Sequence, residues 1–411
     1  MSKLAKIDLL GYFTVLFGEN SLENRTFFNF STGYPYAYVY FDHRTFFVIR
    51  VISPLVILAL DSYLITTVVL ASLSYLAIWR LYRTMVSYFP DLRKELAWAI
   101  LFMPSCIFWG SAILKDTFTL SAVAMWVHCI DEIFYKKRFG VMKVLALLLS
   151  AFVIIMVKPY IFMVLLPVTL LWVFYFRVVN IKSSVMKFVV LPVVLALLTA
   201  STITLLLRLE SSLGKFSLQN AIVTIEVNQS DMKRSEHYGD NYFDIGEFDG
   251  TWTGLLGKFP VATTAGLFRP FLWEARNIVM ALSGLENIWL LWLLLTTLYR
   301  AGPAFFLRTI SAIPLLLMSL LFAVLLAFVV GATTPNFGAL VRFKIPLIPF
   351  LVSGLFMVRH ITAIRDQQRR RGKRIDLATF ANGTAALKEL PVLATKRGSR
   401  VRPKQRPGTH T

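Results

Sequence analysis

Four short segments combine charge with aromatic or helix-breaking residues beside long uncharged runs, and chemistry is expected there. The first is Phe108-Trp109-Gly110-Ser111-Ala112-Ile113-Leu114-Lys115-Asp116. Pro104 and Gly110 mark the meeting of two short helices, and Lys115-Asp116 opens a long apolar one. A helix start offers unpaired N–H groups and a partial positive charge, which suits a phosphate. Lys115 adds a full charge. The plainer reading is that Lys115 and Asp116 only cap and snorkel. The second segment is Lys158-Pro159-Tyr160, where proline breaks the helix and exposes backbone groups. Its cation faces a polar cavity, or the three residues are a turn between two short spans.

The third segment is Phe268-Arg269-Pro270-Phe271-Leu272-Trp273-Glu274-Ala275-Arg276-Asn277. Arg269 can grip a phosphate with two donors. Glu274 is a candidate general base if partial burial raises its pKa. Trp273 and Phe271 suit sugar rings or the membrane interface. In the fourth, Asn336-Phe337-Gly338-Ala339-Leu340-Val341-Arg342-Phe343-Lys344-Ile345-Pro346, two cations enter the last span from its outer side. That opposes the positive-inside bias and points to a specific anion. A charge at membrane depth costs about 2.5–3.5 kcal/mol on insertion scales, so it needs a partner or a function. Glu274 and Asp116 are therefore the candidate catalytic carboxylates. Lys115, Lys158, Arg269, Trp273, Asn336, Arg342 and Lys344 are the candidate substrate-binding residues. Glu286 and Asp61 read as satisfied structural groups.

These residues must be positioned by helices in a membrane. The chain has 411 residues, 56% hydrophobic and 16% charged, against roughly a quarter charged in a soluble domain. Val189–Leu207 and Ile310–Val330 carry no charge, and each matches the ~20 residues that cross a core about 30 Å thick. The expected fold is an all-α polytopic helical bundle of about 8–10 membrane helices, some short or re-entrant. Its spans are expected at Phe46–Leu60, Leu64–Leu81, Leu96–Trp109, Ala112–Phe134, Val144–Val157, Ile161–Phe176, Val185–Leu207, Asn277–Leu298, Ile310–Val330 and Phe343–Val358.

The net charge of +20 falls in short loops and in the C-terminal tail, which favours membrane topology over nucleic acid. Basic connectors alternate, so they share one side, the cytoplasm, with the C-terminus. The segment 1–45 is an interfacial helix or part of a longer first span. Residues 46–358 form the transmembrane domain, with a large extracytoplasmic loop over 208–276, read as a polar lid. Residues 359–411 are a basic, disordered tail that touches anionic lipid. Cys106 and Cys129 read as buried hydrophobes. Five scattered histidines give no metal site, and no cofactor is expected.

Cations with a few carboxylates on one outer face suit a lipid-linked phosphate or pyrophosphate. The reaction is then glycosyl transfer: a carboxylate deprotonates the acceptor hydroxyl while cations stabilise the leaving phosphate. The order Leu81-Tyr82, Pro104-Ser105, Phe108-Trp109-Gly110-Ser111, Lys115-Asp116, Lys158-Pro159, Phe268-Arg269-Pro270, Trp273-Glu274, Asn336-Phe337-Gly338 and Val341-Arg342-Phe343 resembles bacterial polytopic proteins of surface-polysaccharide loci. Those are similar to O-antigen-type polymerases and GT-C glycosyltransferases. The resemblance implies a GT-C-like bundle in the bacterial inner membrane, a polyprenyl-phosphate-linked glycan as partner, and contact with other glycan-assembly proteins. One departure stands out. GT-C enzymes carry an acidic motif in the first extracytoplasmic loop, where this chain has only Asp8, Glu19, Glu23 and Asp42. The alternatives are a transporter or flippase for the same lipid-linked glycan, or a structural subunit of an envelope complex.

Overall fold

The computed structural model describes residues 1–179, 221–232, 241–246 and 251–381. Among them every regular element is helical, and extended pairing is confined to an isolated antiparallel bridge between Tyr242 and Asn336. In chain order the main helices are α1 (Ser2–Ile7), α2 (Leu9–Phe17), α3 (His43–Leu58), α4 (Tyr63–Tyr88), α5 (Arg93–Leu101), α6 (Pro104–Gly110), α7 (Lys115–Ile130) and α8 (Val141–Val157). They continue with α9 (Pro159–Val179), α10 (Ala221–Met232), α11 (Phe259–Phe268), α12 (Ile278–Ala301), α13 (Pro303–Ala312), α14 (Pro314–Thr333), α15 (Phe337–Phe343) and α16 (Ile348–Arg370).

Among the described residues four helices are long and apolar enough to cross a membrane: α4, α12, α14 and the α15–α16 run from Phe337 to Arg370. A fifth is possible if α6 and the helix from Lys115 to Tyr135, bent by 116° at their junction, count together. Several apolar helices are thus able to cross, consistent with a multi-pass membrane protein. Prolines divide several of the apolar runs expected as spans. Ile310–Val330 is cut at Ile313, before Pro314, into α13 and α14, since proline lacks an N–H and its ring restrains the preceding residue. Leu96–Trp109 is cut before Pro104 in the same way. α3 has 16 residues and an internal Pro54. The expected span Val185–Leu207 lies outside the described residues.

The core is built around α14 and α16. Leu316, Phe322, Ala323, Leu326, Ala327 and Val330 are fully buried on α14, as are Ile348, Phe350, Val352, Leu355 and Val358 on α16. Part of the 208–276 segment, expected as a polar lid, instead enters this core. α11 buries Ala262, Ala265 and Gly266 against α14. A Cβ on Gly266 would lie 2.0 Å from the Ala327 carbonyl, and one on Gly331 would lie 1.9 Å from that of Ala262. Small residues four apart on both helices permit this close crossing.

Two further expectations change. The tail assigned from Arg359 onward begins as ordered structure: α16 continues to Arg370 with Ile361 and Thr362 buried. Leu377 and Phe380 are also buried, and Phe380 stacks on Phe89 at 6.4 Å. The N-terminal segment forms a small core of its own, in which Leu4, Tyr12, Val15, Phe28 and Tyr40 pack with Phe46 of α3. Arg50 holds the C-terminal end of α2 by donating to the Val15 (2.9 Å) and Gly18 carbonyls.

Several chain breaks meet beside this core. The Ser105 amide, at the start of α6, donates to Glu286 of α12 at 2.9 Å. The Cys106 thiol reaches the Ile345 carbonyl at 3.8 Å, between α15 and α16. The starts of α7 and α9 join them through Asp116 and Lys158. Interrupted helices leave main-chain groups that need polar partners, which is why polar side chains collect here inside an apolar bundle.

Candidate functional site

Asp116 is the centre of the site. It sits in the first turn of α7, fully buried. Leu114 before it is extended, and no side chain caps the start of α7. Lys158 reaches Asp116 Oδ1 from the non-helical residue between α8 and α9. The α8–Pro159 break thus places a lysine, only 4% exposed, inside the bundle. Arg342 reaches Oδ2 from α15, with Nε at 3.2 Å and Nη2 at 3.1 Å. Both oxygens of the carboxylate are therefore held by cations.

Aromatic rings fix the two cations. Lys158 Nζ lies 4.1 Å from the centre of the Phe343 ring, and the Arg342 guanidinium lies 5.4 Å from that of Trp109. Adjacent residues of α15 thus supply the arginine for Asp116 and the ring for Lys158. A cation over an aromatic face gains about 0.5–2 kcal/mol, more when dry. Lys115, next to Asp116, turns to the N-terminal segment and meets Asp42 at 3.3 Å. Asp42 also caps α3, accepting from the Arg44 amide at 3.2 Å and from the Thr45 hydroxyl. Burial alone would raise the Asp42 carboxyl, but the Thr45 hydroxyl, the Lys115 ammonium and the Arg44 amide outweigh it and hold it below its ordinary range. Two cations, Lys158 and Arg342, face the single carboxylate of Asp116. The Arg342 side chain is 34% exposed while Asp116 is sealed, so the open edge is cationic.

The third segment forms a neighbouring locus. Glu274 accepts from the Phe271 amide at 2.8 Å through one oxygen and faces Arg269 Nε at 3.6 Å through the other. With both oxygens engaged, Glu274 positions Arg269 and the turn that carries it. The Arg269 guanidinium lies over Phe243 at 5.2 Å and over Phe271 at 5.9 Å. Trp273 is mostly exposed and stacks on Phe271 at 4.7 Å. Asn336 caps α15 by accepting from the Ala339 amide at 3.1 Å. Beside it, the Phe243 amide donates to Pro335 O at 3.0 Å and the Phe243 ring stacks on Phe337 at 5.7 Å. α15 therefore carries Arg342 to one locus and braces the other.

Lys344 joins neither locus. It is 2% exposed, donating to the Leu267 and Arg269 carbonyls at 3.3 and 3.0 Å and to Asn287 Oδ1. Asn287 in turn donates to Pro270 O at 2.8 Å. The end of α11 leaves carbonyls without helical partners, and Lys344 satisfies them. Its role here is architectural. Glu286 holds the start of α6, and Asp61 binds Ser2 and Lys6.

The sequence reading did not assign Asp42, Trp109, Phe343, Phe243 or Asn287 to sites. A polar Asn inside an apolar span was a readable signal for Asn287, and an Asp three residues ahead of Thr45 was one for a cap. The aromatic partners carried no such mark, because any ring near a membrane surface reads as interface belt. Among the described residues no group of three or more His, Cys, Asp or Glu side chains is placed to hold a metal ion.

Beyond the first turn of α7 the environment becomes apolar. Thr117, Phe118, Ser121, Ala122 and Met125 line an open groove of about 280 Å³, walled also by Leu70 and Leu149. In comparisons with known proteins no family model, curated protein or solved structure matches this chain.

Proposed function

We propose that this protein binds a polyprenyl-phosphate- or pyrophosphate-linked sugar and transfers the sugar during surface-glycan assembly, as a GT-C-like enzyme of the bacterial inner membrane with a cytoplasmic C-terminus. One observation carries the reading: a partly exposed arginine, Arg342, sits on a buried carboxylate at the head of a helix whose next turns line an apolar groove. An anionic headgroup with a long hydrocarbon chain matches that sequence of surfaces. Arg342 offers two donors in one plane, the start of α7 adds amide groups and positive potential, and Thr117 and Phe118 lead into the groove.

In this reading Asp116 holds Lys158 and Arg342 in place, and the phosphate arriving at Arg342 shares its donors. Transition-state charge on the leaving phosphate is stabilised by cations whose geometry is already set. Glu274 is retained as the acceptor base only if substrate draws Arg269 away from it. Membrane lipids and other glycan-assembly proteins are the further partners proposed. A second reading is favoured by the meeting of broken helices beside Asp116 and Lys344. Interrupted helices around a central polar site are a feature of transporters, so translocation of the same lipid-linked anion is the alternative.

The experiment measures binding of farnesyl phosphate to the detergent-solubilised full chain by native mass spectrometry, and surface glycan in a deletion strain complemented with variants. Wild type is expected to bind and to restore glycan, and Arg342→Gln to lose at least tenfold in affinity. Equal binding by the two proteins removes the reading. Polymer lost while the lipid-linked unit still reaches the outer leaflet favours transfer; the unit trapped inside favours transport.

A further inference from the structure

The N-terminal segment and α3 behave as one body. Arg50 of α3 holds the end of α2, the Tyr12 and Ser53 hydroxyls meet at 3.0 Å, and Phe46 belongs to the small N-terminal core. This body continues into α4 through a turn at Leu60 and Asp61, whose φ values are 53° and 61°. Two consecutive non-glycine residues in the left-handed region are strained, and such strain collects at switch segments. Ser2 and Lys6 of α1 hold the Asp61 carboxylate, so the turn is braced from the body's own side. At the other end of α3, Asp42 meets Lys115 at 3.3 Å, with both side chains partly exposed (45% and 29%). Between these ends α3 rests on the bundle through a separate small cluster, Val48 and Ile52 against Leu70 and Val157. Val51 and Leu55 of α3 wall the groove that Thr117 and Phe118 of α7 also line.

We propose that this body is a hinged side gate on the groove, turning at Leu60–Asp61 and latched by Asp42 on Lys115, and that a lipid chain enters past it from the bilayer. The proposal rests on the reading that the groove takes a hydrocarbon chain, and it adds how that chain is admitted. A polyprenyl chain is far longer than the groove, so its remainder stays in the bilayer. Threading it end-on would drag apolar surface through water, which leaves sideways entry. Each part of α3 suits that motion. An ion pair between partly exposed groups contributes little stability, unlike the sealed Asp116–Lys158 pair. An anionic headgroup arriving at the start of α7 competes with the Asp42 carboxylate for Lys115, so the incoming substrate releases the latch. Separating the small apolar cluster exchanges side-chain contacts for lipid contacts, and no hydrophobic force between helices opposes it within the bilayer. A short turn at the end of an element is where such a rotation is absorbed.

The test follows the rate at which the full chain in lipid nanodiscs takes up radiolabelled farnesyl phosphate. Phe47 of α3 and Phe152 of α8 have ring centres 5.6 Å apart, and neither lines the groove. Phe47→Cys with Phe152→Cys, joined by a reducible bis-maleimide, therefore ties α3 to the bundle. The joined protein is expected to take up the probe at least tenfold more slowly than the same protein after reduction. Wild type treated with the same reagent controls for Cys106 and Cys129, both buried. Asp42→Asn supplies an independent arm, because asparagine caps a helix as well as aspartate does and only the charge of the latch is lost. Its uptake is expected to be at least threefold faster than that of wild type. Equal rates for the joined and reduced proteins, or an unchanged rate in Asp42→Asn, overturn the gate. The two readings fail distinguishably. Uptake that ignores the joint removes only the gate, whereas no uptake by wild type removes the chain reading and the gate with it.

Discussion

Arg342 reaches Asp116 across 226 positions of sequence, and both Nε and Nη2 converge on the same oxygen, Oδ2. The other oxygen belongs to Lys158. The arrangement explains how a fully buried carboxylate is tolerated. Two cations compensate its desolvation, and one of them is partly in contact with the outside.

Asp116→Ala would leave Lys158 buried without its carboxylate. Removing one member of a buried pair costs about 3–5 kcal/mol, so the variant is expected to melt well below wild type in detergent. Asp116→Leu combined with Lys158→Met is expected to recover most of that loss, since apolar replacements of a whole buried pair are often neutral. Fluorescence-detected thermal unfolding distinguishes the two. Equal melting of the single and double variants would show that the pair is not coupled.

Arg342 is expected to tolerate change in folding but not in binding. Its side chain is 34% exposed, so Arg342→Gln should retain its gel-filtration profile. Hydrogen bonds to charged groups contribute about 1.5–3 kcal/mol, which corresponds to at least tenfold in affinity for farnesyl phosphate. Arg342→Lys should recover part of the loss, because it restores the charge without the planar pair of donors.

The α11–α14 crossing predicts a sharp size limit. Gly331→Ala places a Cβ 1.9 Å from a backbone carbonyl carried by another helix, so the helices must separate. Gly354→Ala meets side chains and no backbone, Leu320 at 2.7 Å and Leu316 at 3.5 Å, and side chains can shift. Membrane accumulation of Gly331→Ala is expected to fall several-fold and that of Gly354→Ala to fall less. The opposite order would place α11 elsewhere.

The N-terminal segment should loosen in acid. The folded Asp42 carboxyl is held below its ordinary value of 3.8. A lowered folded value contributes stability that is present above the unfolded value and is lost as pH falls through the folded one. Protease protection of residues 1–45 is therefore expected to be flat from neutral pH down to about 3.8 and to decline below it. Asp42→Asn should show weaker protection at neutral pH. Unchanged protection in that variant would remove the Lys115–Asp42 tie as the cause.

The C-terminus is expected in the cytoplasm. α16 extends to Arg370 and ends in Arg369 and Arg370, so a reporter fused after Gly372 lies past the helix. Activity of a cytoplasm-restricted reporter there agrees with the positive-inside bias. Activity only outside would invert the proposed topology and move the Asp116 cluster to the inner face.

Composition and apolar run length alone determined that the chain is helical and has segments able to cross a membrane, because backbone groups in lipid must be satisfied within a segment. The costly charges were legible too. Asp116, Lys158 and Arg342 stand out one by one beside apolar runs, since each is expensive there unless paired. Their pairing was not legible, because Lys158 and Arg342 reach Asp116 from breaks 42 and 226 residues away. Only tertiary packing decided that Lys344, two residues from Arg342, turns to the carbonyls ending α11. Packing alone also placed α11 in the core. Its Gly266 and Ala262 gain meaning only from Ala327 and Gly331 across the crossing, and short-range pattern holds no record of what faces a small residue.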